Sequence, residues 1–363
     1  MVTRRTLTTA AVSAALVLTM AACGGGDSGG DNGGSGGGES AGKVGVILPD
    51  TESSVRWESA DRPLLEKAFG DAGVDFDIQN AEGDAQRMAT IAEQMITGGV
   101  TVLAIVNLDS ASGAQIEQQA AQQGVATIDY DRLTLGGQAE YYVSFDNTKV
   151  GNLQGEGLAK CLGDKTANIA FLNGSPDDNN ATLFSEGAHK VLDAKTSYTQ
   201  VAEQAVPGWD NQQAATIFEQ MYTQAGGNIQ GVLAANDGLA NSVISVLARN
   251  NVAGQVPVTG QDATTEGLQN ILASRQCMTV YKPIAQEANA LAELAIALIK
   301  GDKAKTTGEA EDTEGNRQVP AVLLDPVSIF RDNVKDVVDD GFVTADDLCT
   351  GEFAAACTEL GIK

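Results

Sequence analysis

Short apolar, β-branched runs punctuate the chain at intervals of roughly 25–30 residues, at 44–48, 76–78, 102–106 and 125–128. Between them apolar residues fall at helical spacing, as Met88, Ile91, Met95 and Ile96 do. Such alternation predicts βαβ units around a parallel sheet, because each strand is covered on both faces by helices that contribute one apolar stripe apiece. Asp84 and Ser110 are placed to cap helix starts, and Gly98-Gly99 and Gly124 stand just past helix ends. The same grammar restarts after Asp146, with runs at 169–172, 201–202, 232–234 and 256–258 each followed by a helical stretch. Farther on, 278–281 and 322–324 read as strands and 284–300 as an amphipathic helix. The expected fold class is α/β: two Rossmann-like lobes with parallel sheets, joined by a multi-strand hinge. Lobe 1 is expected to take residues 43–145 plus 282–322, lobe 2 residues 146–281 plus 323–348, and a tail residues 349–363.

The first 42 residues do not share this pattern. Arg4 and Arg5 precede an apolar run, 10–20, that is too short to span a bilayer, and Ala21-Ala22-Cys23 follows. Residues 1–22 read as a lipoprotein signal peptide and Cys23 as the lipid-bearing first residue of the mature chain. Residues 23–42, almost all Gly, Ser, Asp, Asn and Glu, cannot bury enough apolar surface to fold and read as a tether. The expected location is the outer face of the cell membrane, held there by the lipid alone.

Composition narrows the partners. The formal charge of −25, near −27 once Arg4 and Arg5 leave with the signal, repels nucleic acid and anionic membrane. Besides Cys23 there are four cysteines, an even number that in an exported chain suggests two disulfides, with Cys349–Cys357 the local pair and Cys161–Cys277 the remainder. A single histidine, His189, and no Cys-x-x-Cys pair argue against zinc, and no metal or other cofactor is expected. His189 sits on a helical stretch and reads as a helix-surface residue.

In open α/β sheets ligands sit at the carboxyl ends of the strands. The unusual residues collect there: Asp50 and Arg56-Trp57 after the first run, Asp131-Arg132 after the fourth, then 173–180, Gly208-Trp209, Asn236-Asp237, Gln261-Asp262 and Tyr281-Lys282. Each such Asp, Asn or Gly has an ordinary explanation as a turn or cap residue. Together they form a set of fixed acceptors, fixed donors, two-way amides and the chain's two indoles. A monosaccharide, with hydroxyls that donate and accept and an apolar C–H face, needs that set. An acid pair such as Asp131 and Asp262 would also serve a glycosidase, but a cleft that engulfs one ring leaves no place for a leaving group. No catalytic residue is assigned.

At these residues the chain closely resembles the xylose-binding proteins of bacterial ABC importers, within the type I periplasmic binding protein family. The resemblance runs from about Lys43 to Leu348 and is carried by Arg56-Trp57, Tyr130-Asp131-Arg132, 144–147, 174–176 with 178–180, 260–262 and 279–283. It implies sugar contacts from Arg56, Trp57, Asp131, Arg132, Asn180, Trp209, Asn236, Asp262 and Lys282. It further implies a monomer that closes its hinge on D-xylose or a related aldose and delivers it to an ABC permease. Residues 51–55 are closer to relatives that accept glucose and several other aldoses, whereas Lys282 matches the xylose type. An identical cleft would also serve a chemoreceptor. A sugar-responsive repressor of the same fold would carry a basic DNA-binding head where this chain has its signal and tether.

Overall fold

A computed structural model describes residues 42–363; the signal, Cys23 and nearly all of the tether lie outside them. The first lobe opens with β1 (Lys43–Leu48), α1 (Arg62–Ala72), β2 (Asp75–Asn80), α2 (Ala85–Thr97), β3 (Val102–Ile105), α3 (Ser110–Gln122), β4 (Ala126–Tyr130) and β5 (Tyr141–Phe145). The chain then enters the second lobe through α4 (Asn147–Leu162), β6 (Ala167–Asn173), α5 (Asn179–Leu192), β7 (Tyr198–Ala205), α6 (Asn211–Gln224), β8 (Gly231–Ala234), α7 (Asp237–Arg249), α8 (Thr265–Leu272) and β9 (Thr279–Tyr281). It returns through α9 (Ile284–Lys300), β10 (Gly308–Asp312) and β11 (Arg317–Leu324), and crosses again to β12 (Val327–Ile329), α10 (Val334–Asp339), α11 (Ala345–Leu348) and α12 (Ala354–Leu360).

The first sheet has the order β10-β11-β5-β4-β3-β1-β2, parallel except for the edge strand β10. The second has the parallel core β7-β6-β8, and β9 pairs antiparallel with β12. The central strands of both main sheets are buried on both faces, as continuous apolar runs require, and the edge strands β2, β7 and β10 are more exposed. On β1, Val44, Val46 and Leu48 join one core cluster with α1 and α9, while Ile47 points into another with α2 and α3. On β6, Ala170 and Leu172 face α6 and α7, and Ile169 and Phe171 face the opposite side. Three segments link the lobes, between β5 and α4, between β9 and α9, and between β11 and β12. That is the fold expected from the sequence.

Four details differ from the sequence reading. Asp109, not Ser110, caps α3, its carboxylate accepting from the Ser112 N–H at 2.8 Å. Residues 256–258 contribute only a single bridge, Val258 to Val232, because Pro257 has no N–H to give a ladder. Strand β11 stays in the first sheet through Leu324, two residues past the expected boundary at 322. Residues 349–363, expected as a tail, are part of the second lobe: Cys357 and Ile362 are buried with Leu268, Leu272 and Val337. Cys349 is bonded to Cys357 and Cys161 to Cys277. His189 is partly buried, stacked on Phe171 at 4.3 Å and bonded to Asp193 and Glu203.

Candidate functional site

All nine residues singled out in the sequence line one cavity between the lobes. Arg56, Trp57, Asp131 and Arg132 come from loops after β1 and β4, and Asn180, Trp209, Asn236 and Asp262 from loops after β6, β7 and β8 and from the turn before α8. Lys282 arrives from the second crossing, directly after β9. Parallel strands all deliver their carboxyl ends to the same edge of a sheet, so two facing sheets converge on one cleft.

Local backbone geometry aims several of these side chains. Asp131, Trp209 and Asp262 hold φ of 61°, 57° and 93°, a left-handed region that non-glycine residues enter at a cost of roughly 1–3 kcal/mol. Trp57 opens a single π-helical turn, Trp57–Asp61, a form of helix that concentrates at functional sites. Asn180 and Asn236 stand at the starts of α5 and α7. The Asn236 side-chain oxygen accepts from the Leu239 N–H at 2.9 Å, leaving its side-chain NH2 to donate across the cleft to the Ser53 backbone carbonyl at 3.2 Å.

Beneath the cavity floor, Arg56 organises a buried charge cluster. Its guanidinium donates to Asp61 twice at 2.8 Å, to Glu287 at 2.8 Å and to Asp131 at 2.9 Å. The Tyr130 hydroxyl adds a donor to Asp61 at 2.7 Å. Burial alone would lower the Arg56 pKa, yet the three carboxylates hold it well above its ordinary value. Burial likewise pushes Asp131 up, but Arg56, Lys282 and Arg132 outweigh it and keep the carboxylate ionised. Glu287 is driven well up by burial and by Asp131 and Asp61. The cluster therefore presents Asp131 to the cavity as a fixed, charged acceptor.

The remaining wall is a network of bonds between the lobes. Asn180 donates to the Asp131 carbonyl at 2.9 Å and carboxylate at 3.2 Å, and Lys282 pairs with Asp262 at 3.1 Å. Ser54 donates to Asp262 at 3.1 Å, and Arg132 pairs with Asp178 at 3.1 Å. Trp57 is fixed by its N–H to Ser53 at 3.0 Å, with the Arg56 guanidinium 4.5 Å from its ring centre. Trp209 donates to Asp178 at 3.1 Å and meets Phe184 edge-on at 6.5 Å. The space left is about 30 Å³, room for about one water, so a larger solute enters only as the lobes part and these cross-cleft bonds are exchanged.

Ser53, Ser54, Asp178, Phe184 and Gln261 line the cavity as well; Asp178 and Gln261 fall in strand-end segments that the sequence picked out, whereas Phe184 was not singled out. Phe184 is one helical turn beyond Asn180 on α5, a spacing that places both on one face and was legible in principle. Asp61 and Glu287 gave no such signal. Glu287 lies 231 residues from its partner Arg56, within an ordinary amphipathic helix.

A family model described as periplasmic binding protein domain matches residues 44–303. The chain belongs to the periplasmic binding protein family. The D-xylose-binding periplasmic protein of Escherichia coli is 35% identical over 304 residues, covering 83% of this chain and 90% of that protein. The multiple sugar-binding periplasmic receptor of Rhizobium radiobacter is 32% identical over 330 residues, 85% of this chain and 92% of its own. Among solved structures, an ABC transporter solute-binding protein of Clostridium phytofermentans with bound β-D-glucose has a TM-score of 0.78 at 30% identity, over 84% of this chain and 99% of that one. The resemblance read from the cleft residues is thus a family relationship, and it is to binding proteins of transport rather than to enzymes.

Proposed function

We propose that this periplasmic binding protein captures a monosaccharide, D-xylose first among the candidates, by closing its two lobes, and hands it to an ABC permease. The observation that carries this reading is the cavity itself. Ionised acceptors, cationic donors, amides and two indoles from both lobes surround a space closed by inter-lobe bonds. A sugar that replaces those bonds touches both lobes at once and so favours the closed arrangement by its differential contacts. Fixed acceptors and donors on both walls discriminate epimers, because an unmatched hydroxyl leaves a buried polar group unpaired at about 1–3 kcal/mol. Relatives named for D-xylose support the pentose, while the glucose-bound neighbour and the multiple-sugar relative support a second reading, glucose or several aldoses. Delivery to a chemoreceptor instead of a permease would use the same cleft.

A thermal-shift and calorimetric panel of xylose, glucose, arabinose, ribose and galactose tests the reading. The cognate sugar stabilises the fold by about 2.7 kcal/mol at a hundredfold excess over its dissociation constant. No response to any aldose would overturn it. Attachment to the outer face of the membrane through a lipid on Cys23 is part of the same proposal, and loss of labelled fatty acid from a Cys23→Ala chain is its measurement. The protein acts as a monomer.

A further inference from the structure

A second cavity, of about 490 Å³, lies against the first and opens toward solvent between the lobes. Ser53, Arg132, Asp178 and Trp209 line both, so the two spaces share one thin wall of side chains. This outer space persists while the lobes are in contact through Ser54–Asp262, Asn236–Ser53 and Asn180–Asp131. A group seated there does not stand in the way of closure. Its size falls within the range of small-molecule sites.

Its chemistry is one-sided. Asp50, Glu52, Glu82, Asp177, Asp178 and Asp210 contribute carboxylates, against Arg132 as the one cation among the lining residues. Among the described residues Glu52 and Asp177 carry no ion-pair partner. Carboxylates accept two hydrogen bonds from neighbouring hydroxyls and repel anions, so the wall suits a neutral polyhydroxylated ring and disfavours an acidic one. The wall between the cavities is held by side chains: Asp178 is ion-paired with Arg132 and accepts from the Trp209 indole N–H, each at 3.1 Å. A linking oxygen that accepts from Arg132 in place of Asp178 would pass through it.

We propose, building on the sugar-binding reading, that this vestibule is a second sugar subsite. The protein then takes a neutral disaccharide or short glycoside, with one ring in the inner cavity and the next between the carboxylates of the mouth. The test is titration calorimetry on the mature chain. The ligands are the cognate monosaccharide found by the panel, its neutral disaccharide, and a disaccharide whose outer ring is a uronic acid. Expected are a neutral disaccharide bound within about tenfold of the monosaccharide and the acidic one weaker by at least about tenfold. Gln213→Trp, which fills the vestibule from the first turn of α6, weakens the disaccharide by about tenfold or more and leaves the monosaccharide unchanged, the latter also reporting that the variant folds. Monosaccharide binding without disaccharide binding overturns the subsite and spares the sugar reading. Disaccharide binding indifferent to Gln213→Trp overturns it as well, and failure of both ligands sinks the two readings together.

Discussion

Arg56 joins stability and recognition in one side chain. Its guanidinium is shared by Asp61, Asp131 and Glu287, all buried, and among the described residues no other cation forms an ion pair with Asp61 or Glu287. Replacing it by Met leaves uncompensated buried carboxylates, and breaking such a cluster costs about 3–5 kcal/mol. Urea denaturation of Arg56→Met should show that loss, and Arg56→Lys should recover little of it, because a point charge cannot span three carboxylates that a planar fork reaches. Asp237, buried behind the Asp262 turn, makes the pH prediction. Burial and the Asp262 charge push it up to about 7, although it accepts from Gln276, Thr264 and Thr279. A carboxyl raised in the folded state binds its proton there while the unfolded chain has released it. Stability therefore falls as pH rises from about 4 toward 7, by about 1.4 kcal/mol per unit from this group, and levels off above 7. Denaturation midpoints across that range should show the decline, and Asp237→Asn should flatten it.

At the level of elements, close backbone approach places the aromatic wall. A Cβ on Gly174, at the end of β6, would stand 2.1 Å from the Trp209 ring, so this position admits the indole only as glycine. Gly174→Ala must displace Trp209, and with it the indole N–H that Asp178 accepts. It should cost about 1–3 kcal/mol of stability and weaken sugar binding, visible as a shifted tryptophan emission with a raised dissociation constant. Helices α4 and α5 cross through a similar approach, where a Cβ on Gly151 would stand 2.0 Å from the Phe184 carbonyl. Gly151→Ala should therefore move α5, which carries Asn180 and Phe184, and disturb binding from outside the cavity. The caps tell the same story: Asp178 and Asn236 begin α5 and α7 and line the cleft, so one residue sets the helix start and the recognition surface together.

Across the whole molecule, the proposed closure would work through three crossings and a small set of cross-cleft bonds. If closure reads out the sugar, saturating ligand should lower the radius of gyration in small-angle scattering. Asp262→Ala, which removes bonds to Ser54 and Lys282, should weaken binding without unfolding the second lobe. An unchanged affinity in that variant would contradict a site built from both lobes. The buried terminal segment makes a further difference at this scale. Residues 354–362 complete the core around α8, so truncation before Cys349 should destabilise the second lobe rather than trim a free end.

The alternation of strands and helices, and hence the two covered parallel sheets, is legible in the residue pattern, because burial on both faces forces continuous apolar runs whose period is readable locally. That pattern also pointed to the loops that line the cleft, since the carboxyl ends of parallel strands are known once the strands are, while the choice of nine residues within those loops came from the family resemblance. The pattern missed β5, β10 and β12: the first ends where the second repeat of the pattern begins, the second, Gly308–Asp312, is a half-exposed edge strand without an apolar run, and the third, Val327–Ile329, is three residues long. The features that local pattern could not reveal join segments far apart along the chain. The pairing of Arg56 with Glu287 across 231 residues, the wall shared by two cavities and the burial of the last helix all depend on which surfaces meet. Local periodicity carries no information about that, because contacts between distant segments are set by packing and by the satisfaction of buried charge.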